Sequence, residues 1–352
     1  MRHVELFSGI GGFRQAMRLL TQDGGPQFNC VGYSEIDAAA NNTYRANFDV
    51  TNETAIGDIA TFVEDDVRMN ALRPFQLLTG GFPCQSFSLM GAQRGFEDTR
   101  GTLFFSMVRL IEHRMPVFLL LENVKHLRTH DGGNTYRIIV KTLERMGYSV
   151  HSDIFNTANY GLAQTRNRIY IFATLRRLPR GFVFNEERVR MHFEGLHNTS
   201  LLNQKCTADI LAEETPEKYF LSEKLKRTIL ANGSGGFVAK SEIDLPIARP
   251  LCATMAKMHR ACQDNYFSEQ FIASHGVDRY VGGVENAAAE QIRRLMPEEA
   301  FALQGFDPVF VENSRAQFGI ADSNLYKQAG NAVSVNVVYA ILSFLTDSFN
   351  WR

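Results

Sequence analysis

The 352-residue chain has no stretch approaching the roughly 18 consecutive apolar residues that a membrane span needs, so no membrane anchor is expected. Its opening residues, Met1-Arg2-His3-Val4-Glu5, lack the apolar core and cleavage site of a secretion signal, which points to the cytosol. The five cysteines (Cys30, Cys84, Cys206, Cys252 and Cys262) are scattered and odd in number, and none forms a Cys-x-x-Cys pair. That disfavours both a disulfide framework and a zinc cluster. His126 and His130 stand four apart, but no Glu lies at 127 and no third ligand follows, so no metal site is expected. Net charge is nearly absent too: 37 Lys and Arg against 38 Asp and Glu exclude a uniformly basic nucleic-acid coat. No internal repeat or low-complexity tract is present.

What is present, 45% hydrophobic and 21% charged residues, suits a globular chain with one large core and a smaller one. Short apolar runs at residues 3–7, 30–34, 75–79, 117–122, 149–156 and 168–173 alternate with helical spacing at 13–20, 103–114 and 136–146. This rhythm predicts a doubly wound α/β domain with a parallel sheet. From about Leu175 to Gly283 the rhythm breaks up around Gly233-Ser234-Gly235-Gly236 and scattered prolines, as in a smaller, irregular domain. Order returns with helical patterns at 287–295 and 297–303, and with an apolar stretch at 334–344 that could dock back onto the first domain. The expected division is therefore residues 1–180 completed by 322–352, and a small domain over 181–321.

Chemistry-bearing residues gather after the predicted strands. Phe7-Ser8-Gly9-Ile10-Gly11-Gly12 forms a glycine turn that lets a ligand approach backbone N–H groups, although such a turn also serves plain strand-to-helix packing. Glu35 and Asp37 end the second strand, where an acid can accept hydrogen bonds from ribose hydroxyls. Asp58, in Gly57-Asp58-Ile59, could meet an adenine amino group or be an ordinary turn aspartate. Gly80-Gly81-Phe82-Pro83-Cys84-Gln85-Ser86 places one cysteine in a turn of small residues, and Pro83 stiffens the backbone before it, so the thiol reads as exposed and aimed. The strand at 117–121 delivers Glu122-Asn123-Val124 to the same edge, where a carboxylate must either pair or act on a ligand. Arg166 and Arg168 stand two apart, a spacing expected to point them to opposite faces of an extended segment unless a strand begins between them.

In order along the chain, these motifs resemble the cytosine-5 DNA methyltransferases of bacterial restriction-modification systems. The matching segments are the glycine turn, the Glu35 site, Gly57-Asp58-Ile59, Pro83-Cys84-Gln85, Asp98-Thr99-Arg100-Gly101-Thr102-Leu103-Phe104, Glu122-Asn123-Val124 and Gln164-Thr165-Arg166-Asn167-Arg168. They continue with Arg294-Leu295-Met296-Pro297-Glu298-Glu299, Gln304-Gly305-Phe306 and Gly330-Asn331-Ala332-Val333.

The resemblance implies an S-adenosylmethionine-dependent Rossmann-like domain and a target-recognition domain, with double-stranded DNA as substrate. Carbon 5 of cytosine is a poor nucleophile until a thiolate adds at carbon 6, a role that falls to Cys84. Glu122, kept protonated by an apolar site, would serve N3. By resemblance Arg168 reaches the cytosine carbonyl and orients Glu122, while Arg166 holds the active-site loop. The implied cofactor residues are Phe7, Gly9, Ile10, Gly11, Gly12, Glu35, Ile36, Asp58, Ile59, Pro83, Leu103 and Asn331. Gln85, Ser88, Arg94, Arg100 and Gln164 would face DNA, and 86–100, with Gly91 and Gly95, would be a lid over a flipped base.

The segment Arg176 to Cys262 carries fourteen Lys and Arg against ten Asp and Glu, so a mildly basic recognition domain on an acidic catalytic one is expected. A bacterial cytoplasmic monomer is the expected form, with a restriction endonuclease as a functional but not physical partner. Two rival readings remain. A tRNA cytosine-5 methyltransferase would share the scaffold but carry a shorter recognition segment. A nicotinamide-dependent oxidoreductase leaves the Pro83-Cys84 turn unexplained.

Overall fold

The computed structural model describes residues 1–83, 103–197, 199–234, 237–238, 240–255, 257, 259–260, 262–279 and 290–351. The chain forms two compact units. The first comprises 1–156, 167–200 and 337–352, and the second 157–166 and 201–336. The chain thus passes between units at 156/157, 166/167, 200/201 and 336/337, whereas the sequence pattern suggested 180/181 and 321/322.

The first unit is built on a seven-stranded sheet. Its strands are β1 (Arg2–Leu6), β2 (Asn29–Ser34), β3 (Thr54–Ala55), β4 (Leu77–Gly81), β5 (Phe118–Val124), β6 (Ser149–Asn156) and β7 (Asn167–Thr174), in the order β3-β2-β1-β4-β5-β7-β6. Helices α1 (Gly12–Gln22), α2 (Ala38–Asn47), α3 (Ile59–Phe62), α4 (Asp66–Ala71), α5 (Leu103–Arg114) and α6 (Asn134–Arg145) connect them. The strand runs read from sequence all form strands, and only the two-residue β3 has no counterpart among them. The expected parallel sheet is corrected in one place: β7 runs antiparallel to both β5 and β6. Only ten residues separate β6 from β7, fewer than the dozen or so that a parallel crossover needs.

Burial on both faces explains the unbroken apolar run of β5, because helices cover a doubly wound sheet on each side. Leu119 and Leu121 point into a core with Leu78, Met107, Ile111, Ile139 and Ile171. On the other face the helix Val335–Phe349 returns the chain, and Phe349 packs on Phe118, Phe172 and Phe182 with ring centroids 5.2 to 5.6 Å apart. Phenylalanine abundance is thus largely core packing, each such pair adding about 0.5–1.5 kcal/mol beyond its buried area. The stretch Asp322–Phe349 is long and apolar enough to cross a membrane, yet 72% of its most apolar window is buried inside the fold.

The second unit contains the helices Glu223–Leu230, Glu269–Ala273, Pro297–Ala302, Val309–Phe318 and Asp322–Asn331, with a small antiparallel pair, Tyr266–Ser268 on Ile292–Arg294. The helical pattern at 287–295 is therefore corrected at 292–294, which pair as a strand, while 287–289 lie outside the described residues. The strand places Arg293 against Glu299 in a buried two-pronged ion pair, both contacts 2.8 Å. Charge is also distributed otherwise than expected. The second unit carries 15 Lys and Arg against 17 Asp and Glu, and the first 22 against 21. Five of the fourteen basic residues in the 176–262 segment (Arg176, Arg177, Arg180, Arg188 and Arg190) belong to the first unit.

One buried carboxyl sits in the middle of β1. Glu5 accepts from the Tyr44 hydroxyl at 3.2 Å, and Arg14, which donates to that hydroxyl, is already paired with Glu53. Burial pushes the Glu5 carboxyl up to about 8, with Arg14 only partly opposing it. The unfolded chain releases this proton near the ordinary Glu value, while the folded protein keeps it. Stability should therefore fall as pH rises from about 4.5 to about 8. Glu5→Gln should flatten that decline and stabilise the protein at pH 8 by on the order of a few kcal/mol. Urea unfolding of both proteins at pH 5 and pH 8 measures it, and parallel pH profiles would contradict it.

Candidate active site at the carboxyl edge of the sheet

The strand order reverses direction between β1 and β4, and at such a switch point an open sheet leaves a crevice beyond its strand ends. The loop after β1 holds three left-handed residues, Phe7 (φ 52°), Gly9 (φ 54°) and Gly11 (φ 87°). The two glycines have different reasons. A Cβ on Gly11 would lie 2.3 Å from the Phe48 ring, so that position serves packing, whereas a Cβ on Gly9 would meet nothing within 4 Å. Gly9 therefore opens toward space that a ligand could fill.

Neighbouring strand ends are laced to this loop. Ser8 N donates to Ser34 O (2.9 Å), Gly9 N to Glu35 Oε2 (2.8 Å) and Asp37 N to Glu35 Oε1 (2.7 Å). Ser34 Oγ donates to Gly57 O (2.6 Å), which ties in the loop after β3. Each Glu35 oxygen still has a lone pair for a hydroxyl donor. Beside it, Ile36 is 73% exposed, an apolar side chain left in the open. Asp58 is the N-cap of α3, with Oδ1 accepting from Ala60 N and Oδ2 from the Thr61 hydroxyl.

On the other side of the switch point, β4 and β5 pair in parallel with Gly81 opposite Glu122. Asn123, buried just beyond, donates from Nδ2 to Phe82 O at 2.7 Å and accepts from Val124 N at 2.8 Å. It clips the end of β5 to the chain entering Pro83, which is exposed. Glu122 is nearly buried and pairs with Arg168, Oε1 to Nε 3.1 Å. The register explains the contact: Glu122 faces Tyr170 and Val124 faces Arg168, so the two side chains are diagonal neighbours on one face. The neutral carboxyl expected from sequence thus meets a counter-charge.

Opposite faces on one strand are corrected as the reason Arg166 and Arg168 differ: residues two apart on a strand share a face, and the two separate because β7 begins at Asn167, between them. Within the second unit, buried Arg166 donates to the carbonyls of Leu251 (3.1 Å), Gly330 (2.9 Å) and Ala332 (3.2 Å). That bracing fixes the C-terminal end of the helix carrying exposed Asn331. Gly330 has no alternative there, since a Cβ would lie 2.4 Å from the backbone of Cys252 and Ala253.

A family model for C-5 cytosine-specific DNA methylase matches residues 1–346. The chain belongs to that family. It is 35% identical to the Type II methyltransferase M.SsoII of Shigella sonnei, over 97% of this chain and 78% of that one. It is likewise 35% identical to the Type II methyltransferase M.HpaII of Haemophilus parainfluenzae, over 96% and 87%. The Dnmt2 methyltransferase of S. pombe superposes with a TM-score of 0.74, covering 99% of both chains at 20% identity, a likeness of fold. The protein is accordingly a DNA (cytosine-5) methyltransferase, and its class requires a methyl donor and a DNA substrate.

Within this methylase the structure sorts the residues named from sequence. Phe7, Gly9, Glu35 and Pro83 lie at the carboxyl edge with accessible surface, Ile36 is exposed, and Leu103 opens α5. Ile10, Gly12 and Ile59 are buried, and the two isoleucines serve the core rather than an open pocket. Gln164 is corrected: it is fully buried, with its amide donating to Leu303 O and accepting from Leu251 N, so it cannot face DNA. Cys84, Gln85, Ser88, Arg94 and Arg100 lie outside the described residues. From sequence, Asn123 had no task and Ser34 was only the end of a strand. Their adjacency to Glu122 and Glu35 was the available signal.

The contrast between the glycines is testable. Gly11→Ala should cost about 3 kcal/mol, from overpacking on Phe48 plus left-handed strain, whereas Gly9→Ala should cost about 1 kcal/mol from strain alone. Urea unfolding of the two variants checks this, and equal losses would contradict it.

Proposed function

We propose that the protein transfers a methyl group from S-adenosylmethionine to carbon 5 of a cytosine flipped out of a specific double-stranded DNA sequence, through a covalent Cys84 adduct. The observation that carries this reading is the pairing of Gly81 with Glu122, with Arg168 beside the carboxylate. Three residues of chain span at most about 10 Å. Chain connectivity alone therefore keeps Cys84, three residues past Gly81, near Glu122.

The open Gly9 turn, the Glu35 carboxylate and exposed Ile36 fit the adenosine portion of the donor: a cradle, an acceptor for ribose hydroxyls and an apolar platform. Once bound, S-adenosylmethionine supplies an electrophilic methyl group. The Cys84 thiolate adds to carbon 6 of cytosine, and the electron pair displaced from the 5,6 double bond makes carbon 5 nucleophilic. Arg168 turns from Glu122 toward the cytosine carbonyl as the base enters, and Glu122, taking up a proton from solvent as it loses that counter-charge, hydrogen-bonds the N3 edge as an acid. After carbon 5 accepts the methyl group it loses its proton to water, and the electrons left behind expel Cys84 as the thiolate and restore the ring. Arg166 acts as a positioning residue through the helix end at Gly330–Ala332. Asp58 and Leu103 border the donor, and Gln85, Ser88, Arg94 and Arg100 contact DNA. Flipping the base costs a few kcal/mol and makes carbon 6 reachable.

The first unit is the catalytic domain and the second the target-recognition domain. The relatives' names, Type II methyltransferases, support a modification enzyme. In this reading it works in the bacterial cytoplasm as a monomer. A restriction endonuclease for the same sequence would be its functional counterpart, without physical association.

Bisulfite sequencing of a plasmid from expressing cells should show protected cytosines within one short sequence. In vitro, tritium from labelled S-adenosylmethionine should enter duplex DNA and not tRNA; the reverse result would overturn the substrate. Cys84→Ser should lose methyl transfer by at least about 10³-fold while still binding DNA. Glu122→Gln should lower turnover by about 10²-fold with little loss of donor binding, and an unchanged rate would remove it from the mechanism.

A further inference from the structure

In the second unit, where acids outnumber bases, one surface cluster runs the other way. Three cations from three chain segments converge on a single carboxylate. Glu242 Oε1 is shared by Lys240 Nζ at 2.9 Å and Arg279 Nη2 at 3.1 Å, and Oε2 meets Arg249 Nη2 at 3.3 Å. Among the described residues none of the three cations has a second carboxylate within ion-pair distance.

The three are not equivalent. Arg249 is largely buried, and its Nη1 also donates to Glu242 O and Asp264 O, so it belongs to the framework. Lys240 and Arg279 have exposed side chains and share one oxygen atom between them. One carboxylate cannot neutralise three cations, and like charges held this close repel unless another anion joins them. Exposed ion pairs are weak and exchange readily with solvent ions, so both side chains can leave Glu242 for a stronger acceptor. A phosphodiester provides charge and several acceptor oxygens at once.

We infer that Lys240 and Arg279 form a contact for a DNA backbone phosphate, with Glu242 holding the two cations together until the phosphate arrives. The inference rests on the reading of duplex DNA as substrate. It gives Glu242 an unusual sign for an acid in a binding surface: removing its charge frees two cations for the phosphate instead of removing a contact.

The test is binding of a fluorescein-labelled random-sequence 30-base-pair duplex, measured by anisotropy between 50 and 200 mM KCl. Folding of each variant is checked by its melting temperature. Lys240→Gln with Arg279→Gln should weaken binding about tenfold at 100 mM and reduce the slope of log K against log salt by about 1. Glu242→Gln should tighten binding about threefold without lowering that slope. An unchanged slope in the double variant overturns the inference, as does weaker binding by a folded Glu242→Gln protein. Absence of duplex binding by the unmodified protein would instead overturn the reading of the substrate.

Discussion

Parallel strands cannot be joined by a tight turn, and this constraint organises the first unit. Each of β1, β4 and β5 must be followed by a connection that returns the chain to the sheet's other end. Their outgoing loops therefore all leave from one edge, and the sheet's order opens a crevice there. The glycine turn, the approach to Cys84 and the Glu122 carboxylate come from segments far apart in sequence. They share a location because the strands that feed them point the same way. Antiparallel β7 completes the arrangement from the opposite direction. Its reversal brings Arg168, at the strand's beginning, beside Glu122, near the end of β5.

The second unit relies on buried side-chain amides and a guanidinium. Gln164 joins Leu251 and Leu303, Arg166 joins Leu251, Gly330 and Ala332, and Gln304 joins Ala329 and Ser334. Each bond answers a backbone or hydroxyl group that would otherwise be buried at a cost of about 1–3 kcal/mol. The Gln164–Arg168 motif therefore splits between tasks: Gln164 and Arg166 brace the interior of the second unit, and Arg168 reaches Glu122 in the first.

Much of this was legible in the amino-acid sequence because buried parallel strands leave an unmistakable pattern. Phe118 to Leu121 is apolar without interruption, and Glu122 ends it abruptly. The glycine turn could be located but not divided. Only the neighbours of Gly9 and Gly11 reveal that one faces open space and the other the Phe48 ring. Other features depend on partners distant in sequence. The Asn123 bond to Phe82, the strand at 292–294 and the direction of β7 are settled by tertiary pairing, not by local preference. Charge was misplaced for a related reason. A continuous segment is not a spatial unit, and Arg176, Arg177, Arg180, Arg188 and Arg190 belong to the first unit.

The central claim is that the carboxyl edge delivers a cysteine to carbon 6 of cytosine. It is tested most directly by incubating the enzyme and S-adenosylmethionine with duplex DNA in which 5-fluorocytosine replaces cytosine. Fluorine cannot leave carbon 5 as a proton does, so the thiol cannot be expelled after methyl transfer. Mass spectrometry of the digested complex should find the DNA attached to the peptide containing Cys84. An enzyme that methylates ordinary DNA yet forms no such adduct, or forms it on another residue, would contradict the account.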